Sequence, residues 1–183
     1  MFPPDEGGIA MRAFVAQVGA LDRAWLQLVA ARRAPPWVDR GFRSITHLGG
    51  ATATLALGVL LLLPAGTRHL GLVLLAANAG SHVIVQLVKR SVLRVRPGLA
   101  DDGPVPLADI PDAYSFPSGH SAAAMAVALP LALAGSPVAV PALALALLVG
   151  ASRVYLRVHY VTDVLMGQLL GAAGAVAATL WLS

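Results

Sequence analysis

Residues 70–97 read LGLVLLAANAGSHVIVQLVKRSVLRVRP, an apolar run that ends in Lys89, Arg90, Arg94, Arg96 and Pro97. Residues 70–88 are long enough to cross a hydrocarbon core of roughly 30 Å. A basic cluster at the end of such a run marks where the chain meets polar surroundings. Similar runs lie on both sides. One covers about 45–64, with Leu55, Leu57, Val59 and Leu60 to Leu63, and is closed by Pro64-Ala65-Gly66. Three more cover about 118–134, 138–155 and 161–182. The expected architecture is therefore an all-α, polytopic membrane helix bundle of about five transmembrane helices.

The remaining segments fit around these runs. Over 9–33, Phe14, Val18, Leu21, Trp25, Leu28 and Val29 recur at helical spacing, while Gln17, Asp22, Arg23 and Gln27 interrupt. That pattern predicts an N-terminal amphipathic helix lying in the membrane interface, or a cytoplasmic amphipathic helix packed on the protein. Pro35-Pro36 breaks it. Residues 1–43 then form an interfacial helix and linker, and 44–183 the membrane domain. Residues 97–116 make one long polar loop with Asp101, Asp102, Asp109 and Asp112, and loops of this length are usually functional or disordered. Its acidic spacing fits no calcium loop, so it reads as a solvated loop that gates a site. No secretory signal is evident in the opening residues, which carry Asp5 and Glu6 and no basic start.

Composition agrees. The 183 residues are 57% hydrophobic and 12% charged, against roughly 25% charged in soluble domains. With no cysteine, disulfides, thiolate metal sites and cysteine nucleophiles are excluded. The formal charge of +4 comes with few aromatics. It points to lipid head groups or a phosphate substrate, not to nucleic acid.

Polar residues concentrate at the ends of the runs. Lys89 and Arg96 follow the second run, Pro117-Ser118-Gly119-His120 opens the third, and Ser152, Arg153, His159 and Asp163 straddle the break between the fourth and fifth. Alternating spans bring all three clusters to one membrane face. There, two guanidinium forks and an ammonium match phosphate oxygens. Ser118 and Gly119 offer a helix start with unpaired N–H groups. His159 and Asp163 share a helix face, so the carboxylate can fix the imidazole tautomer and raise its basicity, as an activated nucleophile requires. His120 supplies a proton.

The three clusters, K-x6-R-P, P-S-G-H and S-R-x5-H-x3-D in that order, resemble the signature of the type 2 phosphatidic acid phosphatase (PAP2) superfamily. Its small prokaryotic membrane members are the nearest in kind. The resemblance implies a metal- and cofactor-independent membrane lipid phosphatase with a phosphohistidine intermediate at His159. It implies His120 acting on the leaving group, Asp163 orienting His159, and Lys89, Arg96, Ser118, Gly119 and Arg153 holding phosphate. The expected substrates are a polyprenyl diphosphate or prenyl-linked phosphate first, then phosphatidic acid or phosphatidylglycerol phosphate. Two other readings stand beside it: a non-catalytic lipid-phosphate binding or transport protein, and a vanadate-dependent peroxidase.

Further residues get plainer expectations. Arg94 and Arg157 serve lipid contacts. His82, with Asn78, Ser81 and Gln86, forms a polar stripe facing the bundle interior. His47 and His69 are structural or interfacial, and Tyr155, Tyr160 and Trp181 are interfacial aromatics. Gly167, Gly171 and Gly174 support close helix contact, within or between chains; oligomeric state is left open. Sidedness is divided. Arg32, Arg33, Arg40 and Arg43 favour a cytoplasmic site by the positive-inside rule, while the resemblance favours the outer face.

Overall fold

The computed structural model describes residues 6–32, 34–101, 103–110 and 112–183, with side chains from residue 11 onward. Met1 to Asp5, Arg33, Asp102 and Pro111 lie outside the described residues. Seven α-helices follow in order: α1 (Glu6–Ala31), α2 (Pro36–Thr46), α3 (Ala51–Leu62), α4 (Arg68–Val92), α5 (Gly119–Leu133), α6 (Ala139–Tyr155) and α7 (Val161–Leu182). The only pairing between extended segments among the described residues is a single antiparallel bridge, Val95 to Tyr114.

Helices α3 to α7 are the five apolar runs. Two of them, α4 and α7, are by themselves long and apolar enough to cross a membrane. The first run is shorter than expected: its helix stops at Leu62, and it reaches spanning length only together with α2, at a bend of 51°. Gly50, in extended conformation, makes that bend. Helices α5 and α6 are apolar but only 15 and 17 residues long. Residues 36–43, read as linker, begin α2 instead.

Helix α5 is the axis of the bundle and packs on α3, α4, α6 and α7. Small residues make this possible. A Cβ at Gly167 or Gly171 would overlap the carbonyl oxygen of Ser118 or Ala122, and one at Gly174 would stand 3.0 Å from that of Ala77. The glycines of α7 thus serve close packing inside this chain. Ala77, Ala126, Ala175 and Ala178 continue the seam. Helix α1 turns Phe14, Leu21, Trp25 and Leu28 away from the protein, as an interfacial helix would. It docks through Asp22, Leu26 and Val29, one helical stripe, against α6 and α7.

The α4 stripe is divided. Asn78 and Ser81 are buried, and Asn78 donates to Thr54 Oγ1 on α3 at 2.8 Å. His82 is exposed and reaches only Gln86. It sits one residue, about 100°, around the helix from Ser81, which takes it off the inward face. His69 contacts the Leu182 carbonyl at the far end of the bundle. Trp181 is exposed there.

Candidate active site

All three clusters meet at one end of the bundle. Helix α4 stops because Leu93 adopts a left-handed conformation (φ 51°). The chain then runs extended through 94–96. Alternation turns Val95 outward, 49% exposed, and both Arg94 and Arg96 inward.

Arg96 is buried to 1% exposure. Its Nη1 lies 2.9 Å from His159 Nε2 and 3.0 Å from the Val158 carbonyl. Arginine only donates, so Nε2 is the acceptor and the proton of His159 sits on Nδ1. Nδ1 faces Asp163 Oδ2 at 3.5 Å, a separation too long for an ordinary hydrogen bond, and Nδ1 has no other partner. Asp163 Oδ2 also accepts from the Tyr160 N–H at 2.8 Å. The imidazole thus presents an unprotonated Nε2 to the cationic end of the site.

Burial holds the His159 pKa down, to about 4. Asp163 pulls it up, and the Arg153 and Arg96 guanidiniums push it down again. Asp163 does raise the basicity of His159, but desolvation outweighs that one carboxylate, and the net pKa lies below that of an ordinary histidine. His159 is neutral at physiological pH.

Lys89 and Arg96 come together through Asp112 of the long loop. The Asp112 carboxylate accepts from Lys89 Nζ and from Arg96 Nη2, each at 2.9 Å, and its carbonyl accepts from Arg96 Nε at 2.7 Å. Burial alone would raise the Asp112 pKa, but hydrogen bonds from Lys89 and Arg96 bring it below the usual value. Asp112 remains solvent-facing, 44% exposed at its side chain, yet it belongs to the site. Its carboxylate sits between two cations of the phosphate motif.

Arg153, on the last turn of α6, is 4% exposed. It donates to Thr46 Oγ1 at 2.7 Å, and its buried Nε has no partner among the described residues. An orphaned buried donor is costly unless an anion uses it. Ser118 caps α5: its Oγ accepts from Ser121, and its own N–H is taken by the Asp163 carbonyl. The N–H groups of Gly119 and His120, at the helix start, have no intrahelical acceptor. A Cβ at Gly119 would meet only Val85, at 3.9 Å, so packing does not demand glycine there. His120 is half-buried and lies against the 49–50 segment. Ser152 is buried within α6 and donates to the Val149 carbonyl.

Several residues have roles the sequence reading missed. Arg94 is not a lipid contact. It donates to Asp163 Oδ1 at 2.8 Å, to Thr162 Oγ1 at 2.8 Å and to Asp22 Oδ2 at 2.7 Å, and it covers the Tyr160 ring at 4.1 Å. Asp22 also accepts from the Thr162 hydroxyl and N–H. Arg157, in left-handed conformation, donates to the carbonyls of Ala30 and Val105 and so ties α1 to the loop. Tyr155 donates to Asp39 at 2.6 Å and stacks on Phe42, which fixes α2 to α6. A signal was available for Asp22 and Arg94: an acid inside an otherwise apolar face, and a second arginine at i−2 of Arg96, both ask for a buried partner.

A sequence profile of the PAP2 superfamily matches residues 67–183. The chain is 36% identical over 152 residues to phosphatidylglycerophosphatase B of Bacillus subtilis, covering 74% of this chain and 71% of that one. It is 35% identical over 156 residues to decaprenylphosphoryl-5-phosphoribose phosphatase of Mycolicibacterium smegmatis, 80% of each chain. In three dimensions it superposes on the crystal structure of a transmembrane PAP2 type phosphatidylglycerolphosphate phosphatase from Bacillus subtilis. The TM-score is 0.76 at 32% identity, over 90% of this chain and 86% of that one.

Proposed function

The chain belongs to the PAP2 superfamily, an integral membrane phosphatase by that kinship, and on this premise we propose that it cleaves a lipid phosphate through a phosphohistidine at His159. The observation that carries the proposal is a buried, neutral His159 whose unprotonated Nε2 faces Arg96, close to Lys89, Arg153 and the start of α5.

Phosphate enters by displacing the Asp112 carboxylate from Lys89 and Arg96. It takes the free Arg153 Nε and the N–H groups of Gly119 and His120, with Ser118 shaping the turn. As Arg96 moves onto phosphate oxygen, the His159 lone pair is released. Nε2 attacks phosphorus, a P–N bond forms and the P–O bond to the lipid breaks. The cations stabilise the equatorial oxygens as charge redistributes. His120, which takes up a proton as the phosphate dianion comes to face it, donates that proton to the leaving oxygen. Asp163 faces the Nδ1 proton as the imidazole becomes cationic. Water, deprotonated by His120, then attacks phosphorus, the P–N bond breaks, and inorganic phosphate and neutral His159 are restored.

The substrate keeps its tail in the bilayer while its phosphate reaches the interface. Polyprenyl diphosphates or prenyl-linked phosphates come first, then phosphatidylglycerol phosphate and phosphatidic acid. The resemblance supports an outward-facing site, against the arginines of 32–43, which favour the cytoplasm. The names of the two relatives support this choice of lipids, since both describe phosphatases of membrane lipids.

The test is phosphate release from purified protein in detergent with EDTA, on a C55 polyprenyl diphosphate, phosphatidylglycerol phosphate and phosphatidic acid. Wild type should release phosphate, and His159→Ala should lose about a thousandfold or more, as nucleophile removal does elsewhere. Equal release by both would overturn the assignment of His159.

A further inference from the structure

We propose that the cavity beside His120 is a leaving-group subsite selecting lipids whose leaving group carries a second phosphate, with Arg43 as its specificity-determining cation and His47 as a hydrogen-bonding partner beside it. The inference rests on the histidine phosphatase reading above and narrows its substrate class.

The cavity measures about 710 Å³, and Arg43, Thr46, His47, Asp109, His120 and Arg153 contribute to its wall. His159, Arg96 and Lys89 do not line it. With the phosphate held between His159 and His120, as proposed above, the cavity lies on its His120 side, away from the nucleophile. In-line displacement sets the departing oxygen opposite the attacking nitrogen. The group bonded to that oxygen must project past His120, which is into this cavity.

Its chemistry is cationic. Arg43 is exposed at the last turn of α2, and His47 is exposed just beyond it. Neither has an ion-pair partner among the described residues. Asp109 is the one acid among the described lining residues. The position of Arg43 and His47 is built into the fold. Thr46 accepts from Arg153 at 2.7 Å. A Cβ on Gly49 would stand 2.7 Å from the His120 carbonyl, and one on Gly50 3.8 Å from His120 Nε2. The end of α2 is thus clamped to two residues of the phosphate site, and it carries Arg43 and His47 with it. Arginines that only touch the membrane surface need no such clamp.

A diacylglycerol leaving group is neutral and would leave Arg43 and His47 unused. A leaving group with a phosphodiester or phosphomonoester would engage the Arg43 fork and gain a charge-assisted hydrogen bond. The Arg43 guanidinium would also offset charge growing on the departing oxygen.

The experiment compares kcat/KM for phosphatidylglycerol phosphate and phosphatidic acid with identical acyl chains. Wild type, Arg43→Gln, Arg43→Glu, His47→Gln and His159→Ala are assayed in detergent, and thermal unfolding confirms folding. Wild type should prefer phosphatidylglycerol phosphate. Arg43→Gln should cut that preference about tenfold, the worth of one charged hydrogen bond, with Arg43→Glu cutting it further and His47→Gln in the same direction. A wild-type preference for phosphatidic acid, or a ratio within about twofold of wild type in all three variants, overturns this inference alone if His159→Ala is inactive. Release that survives in His159→Ala, or none from wild type, overturns the phosphatase reading and this inference with it.

Discussion

His159 and Asp112 carry the two residue-scale consequences. A histidine whose pKa falls from 6.5 to about 4 on folding binds fewer protons folded than unfolded. Between those values the unfolded chain takes up a proton that the folded chain refuses. Stability contributed by this group is therefore intact above about pH 6.5 and declines as the pH falls toward 4. Glutamine at 159 has no such titration. The thermal stability of wild type relative to His159→Gln should fall on going from pH 7 to pH 4.5 in detergent; a constant difference would mean that the imidazole is not held neutral by burial. Asp112 makes the second consequence. Because it occupies Lys89 and Arg96, a phosphate analogue must compete with it. Asp112→Asn should bind vanadate several-fold more tightly, read as a lower inhibition constant, since the competent state is more populated without the internal carboxylate. Weaker binding would make Asp112 an organiser of the cations instead. The meeting of Lys89, Arg96, His120 and His159 at one end of the bundle could be anticipated from spacing and antiparallel packing. Asp112 could not be singled out from Asp101 and Asp109, because loop conformation, which spacing does not encode, decides which acid reaches the cations.

At the scale of elements, α1 and α2 are more than a membrane-surface prelude to the bundle. Helix α1 plants Asp22 in the site, where Arg94 joins it to Asp163 of α7. Helix α2 holds Arg153 through Thr46. Removing Arg94 would leave two buried carboxylates uncompensated, Asp22 at 2% and Asp163 at 0% side-chain exposure. Arg94→Met should therefore cost about 3–5 kcal/mol of stability, the usual penalty for breaking a buried pair. It should also lower turnover by loosening Asp163, and Arg94→Lys should recover part of the stability. Unfolding in detergent and turnover check this together; an unchanged melting temperature would show that α1 docks by Leu26 and Val29 alone. The apolar runs foretold α3 to α7 in order, since hydropathy and helical period are local properties. The bend at Gly50 and the docking stripe of α1 were hidden, because they depend on contacts between segments far apart in sequence.

For the molecule as a whole, the arrangement is a short bundle with its chemistry at one end. The Gly167, Gly171 and Gly174 seam draws α7 against α5 and α4 and brings Asp163 up to Ser118. Loop residues 106–110 and the end of α2 close over that face and line the cavity beside His120. Convergence of the three clusters was foreseeable from antiparallel packing. Which residues line the cavity beside His120 was not, since it depends on how α2 folds back over His120. The central claim is a covalent intermediate on His159, and the most direct measurement is to trap it. Purified protein would be mixed with a lipid carrying a ³²P-labelled terminal phosphate, quenched in denaturant at alkaline pH, and mapped by peptide. The account predicts an acid-labile, alkali-stable label on the peptide containing His159, absent in His159→Ala. Phosphate release without any labelled peptide, or a label on another residue, would contradict it.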